Sequence, residues 1–427
     1  MADRRLRQRR RYRRLIANPP FARNNVSVPQ TPTPQSEDSS SILQPISAGV
    51  VAALVGFTSS FAIVLTGLRT VGASPTEAAS GLLALCLTQA VGMLWLSRRF
   101  RQPITLAWST PGAALLASTG AVAGGWPAAI GAFFAVGFAV LVTGLWPRLG
   151  ALIASIPTSL AQAMLAGVIL PLCMAPVTAF AASPAAVGPI VVVWLVLQRY
   201  SRRWAAPAAF GVAALVIAVS LARGDGSIAP ADMIPRIELT VPQWTWQALV
   251  GIALPLYIVT MASQNIPGTA VMKSFGYVVP WRSSMTVTAL GTIVGAPAGG
   301  HAINLAAISA ALAAAPSAHP DPNKRWTAAF TAGWAYLVLA LASAALATLV
   351  AAAPDGTVET VAGLALLATL ASSLASSLRN ESDREAAVLT FLIAASGVTI
   401  LGIGSAFWAL VIGLAIRWAL TSTRQGH

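Results

Sequence analysis

The sequence predicts an all-α integral membrane protein of fourteen transmembrane spans. They form a seven-plus-seven inverted repeat in which spans 3 and 10 are half helix and half short strand. Three observations carry that expectation. Only 9% of the 427 residues are charged and 56% are hydrophobic, a balance foreign to soluble domains of this length, so the bilayer is the solvent. Two apolar stretches, Pro103–Ser118 and Pro297–Ala311, are interrupted alike: an extended, Pro- or Gly-bearing segment leads into a short Ala/Leu-rich helix. Upstream of them, Ala53-Leu-Val-Gly56 returns as Ala248-Leu-Val-Gly251, an offset of 195 residues that Pro103 and Pro297 match within one.

Taken in order, residues 1–45 are rich in Arg to Arg14 and then in Pro, Ser, Thr and Asn. No apolar core follows the basic residues, so the segment reads as a disordered cytoplasmic tail, not a secretory signal. The first repeat, 46–222, holds the spans Ile46–Leu68, Pro75–Ser97, Pro103–Ala121, Trp126–Leu145, Pro157–Met174, Ala185–Gln198 and Ala205–Ala222. Span 2 has the best-marked start, because Ser74-Pro-Thr-Glu77 is a capping box with Pro at the first helical position. A periplasmic loop, 223–243, leads to the second repeat, 244–420. Its spans are Trp244–Ala262, Trp281–Gly295, Pro297–Ala315, Trp326–Ala352, Thr357–Leu378, Ala386–Leu401 and Ile403–Leu420, followed by a cytoplasmic tail, 421–427.

The basic residues test this order. With the N-terminus cytoplasmic and every span crossing, 24 of the 27 Lys and Arg fall inside and only Arg69, Arg223 and Arg236 fall outside, as the positive-inside rule requires. Nine of them lie in the first 23 residues and most others in loops, so the net charge of +14 marks topology and not a nucleic-acid surface. Seven spans per repeat is an odd number, so the second copy enters the membrane inverted.

In this geometry span 3 enters from the cytoplasm, and span 10 from the outside, as a strand that turns helical near the midplane. Matched interrupted spans of this kind point to the substrate site of a secondary transporter. Thr110, with Pro111 behind it, and Asn304 read as the two helix caps. Paired helix N-termini offer free N–H groups and partial positive charge, which suits an anion, and no Lys or Arg lies mid-span to do that work. Ser109, Gly112, Leu305 and Ala306 surround the caps. Thr58, Ser59 and Ser60 lie mid-span 1, and Gln264 and Asn265 end span 8. Each hydroxyl alone is as readily explained by bonding back to its own helix. Trp108 is placed to offer an aromatic face, with Phe57, Phe61 and Tyr257 as wall or core. His301 is the one His inside a span, and no Asp or Glu lies mid-span, so His301 is the candidate proton-coupling group; the competing reading is a neutral His bonded to the neighbouring strand. Cys86 and Cys173 lie in apolar spans and form neither a disulfide framework nor a metal set, and no cofactor is called for.

Six motifs in order, Thr58-Ser-Ser60, Trp108-Ser-Thr-Pro-Gly-Ala-Ala-Leu-Leu116, Thr260-Met-Ala-Ser-Gln-Asn-Ile-Pro-Gly268, Gly300-His-Ala-Ile-Asn-Leu-Ala-Ala307, His319-Pro-Asp-Pro322 and Gly402-Ile-Gly-Ser-Ala-Phe-Trp408, resemble the bacterial benzoate:proton symporter family of the BenE type. The resemblance runs from about Ile46 to Leu420. It implies uptake of benzoate with protons through the inner membrane, and kinship with the nucleobase and sulfate permeases. In that fold spans 1–4 and 8–11 form a core that slides against a gate of spans 5–7 and 12–14. The nucleobase members carry glutamates where this chain has Gln264 or Asn265 and Ile303, a departure that suits an anionic substrate. Partners implied are a small aromatic carboxylate, protons and lipid, with a homodimer left open and no nucleic acid. The alternative on the same fold is an exchanger or channel for other small anions. An intramembrane enzyme is disfavoured, because no Gly-x-Ser-Gly or His-Glu-x-x-His pattern is present.

Overall fold

The computed structural model describes residues 40–224 and 228–424, so the expected disorder of residues 1–39 and the last three residues of the C-terminal tail lie outside the described residues. Among the described residues, seven helices are long and apolar enough to cross a membrane, and an eighth crossing is a pair bent by 52° between Leu341 and Ser343. Shorter apolar helices and two broken segments complete the molecule.

The chain begins with α1 (Ser40–Thr58), which starts six residues before the expected Ile46, so the end of the expected tail is helical. Span 1 runs as one apolar stretch, Leu43–Thr70, with a local turn at Ser59 and Ser60 before α2 (Phe61–Thr70). The Ser59 and Ser60 hydroxyls both donate to the Gly56 carbonyl at this turn. The capping box holds at α3 (Pro75–Phe100): the Ser74 hydroxyl accepts from the Glu77 N–H, and the Glu77 carboxylate accepts from the Ser74 N–H at 2.8 Å. Strand β1 (Leu106–Trp108) and the half helix α4 (Thr110–Thr119) make up span 3. Helices α5 (Gly125–Leu145), α6 (Pro147–Ala154), α7 (Thr158–Ala182), α8 (Pro184–Tyr200) and α9 (Arg202–Ala222) follow. Of these, α6 was not expected, and α7 continues eight residues past Met174 despite Pro171 and Pro176.

In the second half, α10 (Trp246–Ser274) runs twelve residues beyond the expected end at Ala262. It does so through two π-helical turns, Leu249–Ala253 and Met261–Asn265. Helix α11 (Trp281–Gly295) has the expected bounds. Strand β2 (Ile303–Leu305) and α12 (Ile308–Ala314) form span 10. Then come α13 (Trp326–Leu341), α14 (Ser343–Ala351), α15 (Thr357–Ser377), α16 (Arg384–Ala395) and α17 (Ser405–Arg424). Helix α16 ends six residues before Leu401, where the chain turns through Gly397 and Gly402, both at positive φ, and an Ile400–Ile403 bridge.

The helices pack in two groups. In one, α3 lies against α13, α14 and α11, α5 against α11, and α2 against α4. In the other, α7 lies against α15 and α16, α8 against α9, and α16 against α17. Lipid tails are as apolar as Leu, so helices are held by close backbone approach rather than by a hydrophobic drive. Gly81 of α3 meets the loop before β2 this way: a Cβ there would lie 2.6 Å from the Gly299 carbonyl oxygen. Gly363 of α15 lies as close to α7, where its Cβ would be 2.3 Å from the Leu172 carbonyl oxygen.

Candidate functional site

The two broken spans meet. Strands β1 and β2 pair antiparallel in the register Leu106 to Leu305, Ala107 to Asn304 and Trp108 to Ile303. The ladder extends at both ends, where the Ser109 N–H donates to the Ala302 carbonyl at 2.8 Å and the Ala306 N–H to the Thr105 carbonyl at 3.0 Å. Extended backbone inside a membrane must find partners within the protein. On the side of β2 away from β1, side chains supply them: Thr292 Oγ1 accepts from the Ile303 N–H at 3.1 Å, and Asn265 Oδ1 from the Leu305 N–H at 2.9 Å.

The caps differ from expectation. The N-cap of α4 is Ser109, one residue before Thr110, and its hydroxyl accepts from the Gly112 N–H at 3.1 Å and from the Thr260 hydroxyl at 2.9 Å. Asn304 caps nothing: it is the middle residue of β2, and α12 starts four residues later behind Ala307, with no side-chain cap. The N–H groups of Leu305 and Ala306, expected to face an anion, are already donated to Asn265 and Thr105. At the head of α4, Pro111 has no N–H and the N–H groups of Gly112 and Ala113 bond to Ser109. That leaves the N–H and the hydroxyl of half-buried Thr110 without partners.

The other expected residues divide in the same manner. Thr58, Ser59 and Ser60 donate to Leu54, Gly56 and Gly56 carbonyls of their own helix. Trp108 is 2% exposed, its Nε1 donates to the Ser60 hydroxyl at 2.8 Å, and Phe57 and Tyr336 meet its ring edge-on with centroids 5.5 and 5.9 Å away. Phe57 stacks on Phe61, and Tyr257 hydrogen-bonds Thr143; all three are buried in the main core. Gly112 is required by packing, since a Cβ would sit 2.3 Å from Leu256 Cδ1 and 2.8 Å from Ser109 Oγ. Asn265 is structural, with Oδ1 on β2 and Nδ2 near the Met261 sulfur. Gln264, beside it, is half-buried and makes no hydrogen bond among the described residues.

The Ser263 hydroxyl and Asn304 Oδ1 are among the buried side-chain atoms without a partner among the described residues. Ser263 and its neighbour Gln264 lie on the π turn Met261–Asn265, and π turns inside α-helices recur at functional sites because they push side chains out of the regular ladder. Thr260 and Ser263 stand in the sequence only as members of the Thr260–Gly268 motif, and Thr292 is unmarked there, a hydroxyl within an apolar span. His301 is fully buried against Phe133, ring centroids 6.3 Å apart, and neither ring nitrogen has a partner within hydrogen-bond geometry among the described residues.

The BenE family, described as "Benzoate membrane transport protein", matches residues 39–419. The inner membrane protein YdcO of Escherichia coli K12 is 38% identical over 369 residues, 86% of this chain and 93% of that protein. The benzoate membrane transport protein of Acinetobacter baylyi is 29% identical over 379 residues, 87% of this chain and 94% of that one. Among solved structures, the murine anion transporter Slc26a9 in the inward-facing state aligns over 95% of this chain and 74% of its own with a TM-score of 0.59 at 13% identity. The transmembrane domain of the cyanobacterial bicarbonate transporter BicA aligns over 90% and 98% with a TM-score of 0.56 at 13% identity. Those two likenesses concern the fold. The match across nearly the whole described chain makes this protein a member of the BenE family of benzoate membrane transport proteins, a family of membrane transporters and not of enzymes.

Proposed function

We propose that the chain imports benzoate, or a related aromatic carboxylate, together with protons across a bacterial inner membrane, one helix group sliding against the other in an elevator-type cycle. The observation that carries the reading is a set of polar groups near the β1–β2 pair without a partner among the described residues: the buried Ser263 hydroxyl and Asn304 Oδ1, and the half-buried Thr110 and Gln264. Named bonds tie their elements together, Ser109 to Thr260 and Asn265 to Leu305. Donors at the head of α4 and on Gln264 receive the carboxylate, helped by the positive end of α4. Ser109, Asn265, Thr292, Trp108 and Ser60 hold that arrangement in place.

A carboxylate entering a negative interior works against about 2.3 kcal/mol per 100 mV, which one co-moving proton cancels. His301 carries that proton. A buried cationic ring without a counter-charge is costly, so protonation is tied to arrival of the anion beside the β1–β2 pair. Fourteen spans, an inverted repeat dividing at 222 and 244, and both termini in the cytoplasm are part of the same proposal. Loop contacts support it. Gln102 bonds Val278 and Tyr277 bonds Pro322 on the expected cytoplasmic face, while Thr240 bonds Pro297 and Gln243 bonds Pro127 on the other. Uptake of labelled benzoate into proteoliposomes under an imposed proton gradient, with aromatic acids as competitors, tests the proposal. Counterflow without gradient-driven accumulation would identify an exchanger instead.

A further inference from the structure

A cavity of about 610 Å³ opens between α10 and the second helix group, on the side of the membrane that the basic residues mark as cytoplasmic. Its first wall is one face of the inner half of α10, Ala262, Ile266 and Ala270, which begins within the π turn that carries Ser263 and Gln264. Its other wall comes from the second group and is polar, with Ser159, Gln162, Arg379, Asp383 and Arg417. Asp383 is 2% exposed and organises that wall: it pairs with Arg417 Nε at 2.8 Å and accepts from the Ser159 hydroxyl at 2.8 Å and Asn380 Nδ2 at 3.0 Å. One negative charge is therefore set against two guanidinium groups. Asp383 fixes Arg417, while Arg379 lines the same cavity exposed, with no ion pair or hydrogen bond among the described residues.

We infer that this cavity is a second, transient carboxylate site on the cytoplasmic side of the transport site, with Arg379 as its anion contact and the Asp383–Arg417 pair as its fixed wall. The inference rests on the transport reading above. A small carboxylate leaving the β1–β2 region along the α10 face meets a free fork of N–H donors. The apolar residues of α10 face its ring. Because Arg379 is solvated, the contact is weak and salt-sensitive, as release demands.

The test compares benzoate transport in right-side-out and inverted membrane vesicles for the wild type, Arg379→Gln and Arg379→Lys. Arg282→Gln, which removes a charge from the same face outside the cavity, serves as the control. The expected result is an Arg379→Gln half-saturation raised about two- to fivefold from the cytoplasmic face and unchanged from the outer face, with a flatter dependence on salt. Arg379→Lys is expected to retain most of the wild-type behaviour, and Arg282→Gln all of it. Equal half-saturation at the cytoplasmic face, or the same change at both faces, overturns the inference. A wild type that carries no benzoate overturns the transport reading itself, and the two failures are distinct. Arg379 has no bond to lose, so a loss of folded protein in Arg379→Gln would also overturn this assignment.

Discussion

Adjacent residues in this chain have opposite roles, and Gln264 and Asn265 show it most clearly. Both are amides in the same π turn. Asn265 holds a strand N–H at 2.9 Å, and Gln264 holds nothing. Asn265→Leu leaves the Leu305 N–H buried and unpaired, which destabilises the fold by about 1–3 kcal/mol, measurable as earlier thermal unfolding in detergent. Gln264→Leu is expected to leave that stability unchanged and to weaken benzoate binding about tenfold or more, the loss of a hydrogen bond to a charged group. Equal effects of the two substitutions on stability would count against this division. His301→Gln keeps a polar group and removes titration, so it is expected to retain benzoate exchange and lose accumulation driven by a pH gradient. A mutant that still concentrates benzoate with the wild-type pH profile would make His301 structural. Gly112→Leu is a poor probe of the ligand, because even a Cβ at that position collides with the Ser109 cap.

Elements were legible where composition or local chemistry dictates them. The capping box of α3, the bounds of α11 and the two strand-to-helix breaks all follow from Pro, Gly and Ser at fixed offsets. What sequence could not supply was which side chain a neighbouring segment would claim. Ser109 became the cap because Thr260 and the Gly112 N–H converge on it, and Asn304 was drawn into β2 by pairing with Ala107. The length of α10 was hidden because two π turns carry the helix past the polar residues that seemed to end it. In the second group, Asp383 joins α7, α17 and the α15–α16 turn. Burial works against its charge, yet the bonds from Arg417, Ser159 and Asn380 outweigh burial and hold its carboxyl below the ordinary value of 3.8. A pKa lowered on folding contributes stability that is present above the unfolded value and lost as pH falls through the folded one. Asp383→Asn is therefore expected to lower stability at pH 7 by about 1–3 kcal/mol and to flatten the acid limb of the wild-type stability profile. An unchanged acid limb in thermal melts between pH 3 and pH 7 would show that other carboxylates set it.

For the whole molecule the charges define an orientation that labelling can check. Cys86 and Cys173 are both buried, so single surface cysteines can be read against a quiet background. Val241 and Val278 are 80% and 81% exposed, and the proposed topology puts their loops on opposite faces. In intact cells Val241→Cys is expected to react with a membrane-impermeant thiol reagent, and Val278→Cys only after permeabilisation; the reverse pattern would invert the topology. The strand pair packs on α3, α11 and the π turn of α10, and family membership names the transport of benzoate. The most direct test of proton-coupled aromatic acid transport is accumulation of labelled benzoate in proteoliposomes with the interior alkaline and no other energy source. The account predicts concentration above the external level, abolished by a protonophore and by excess unlabelled benzoate. Labelled benzoate that only equilibrates, whatever the proton gradient, would contradict it.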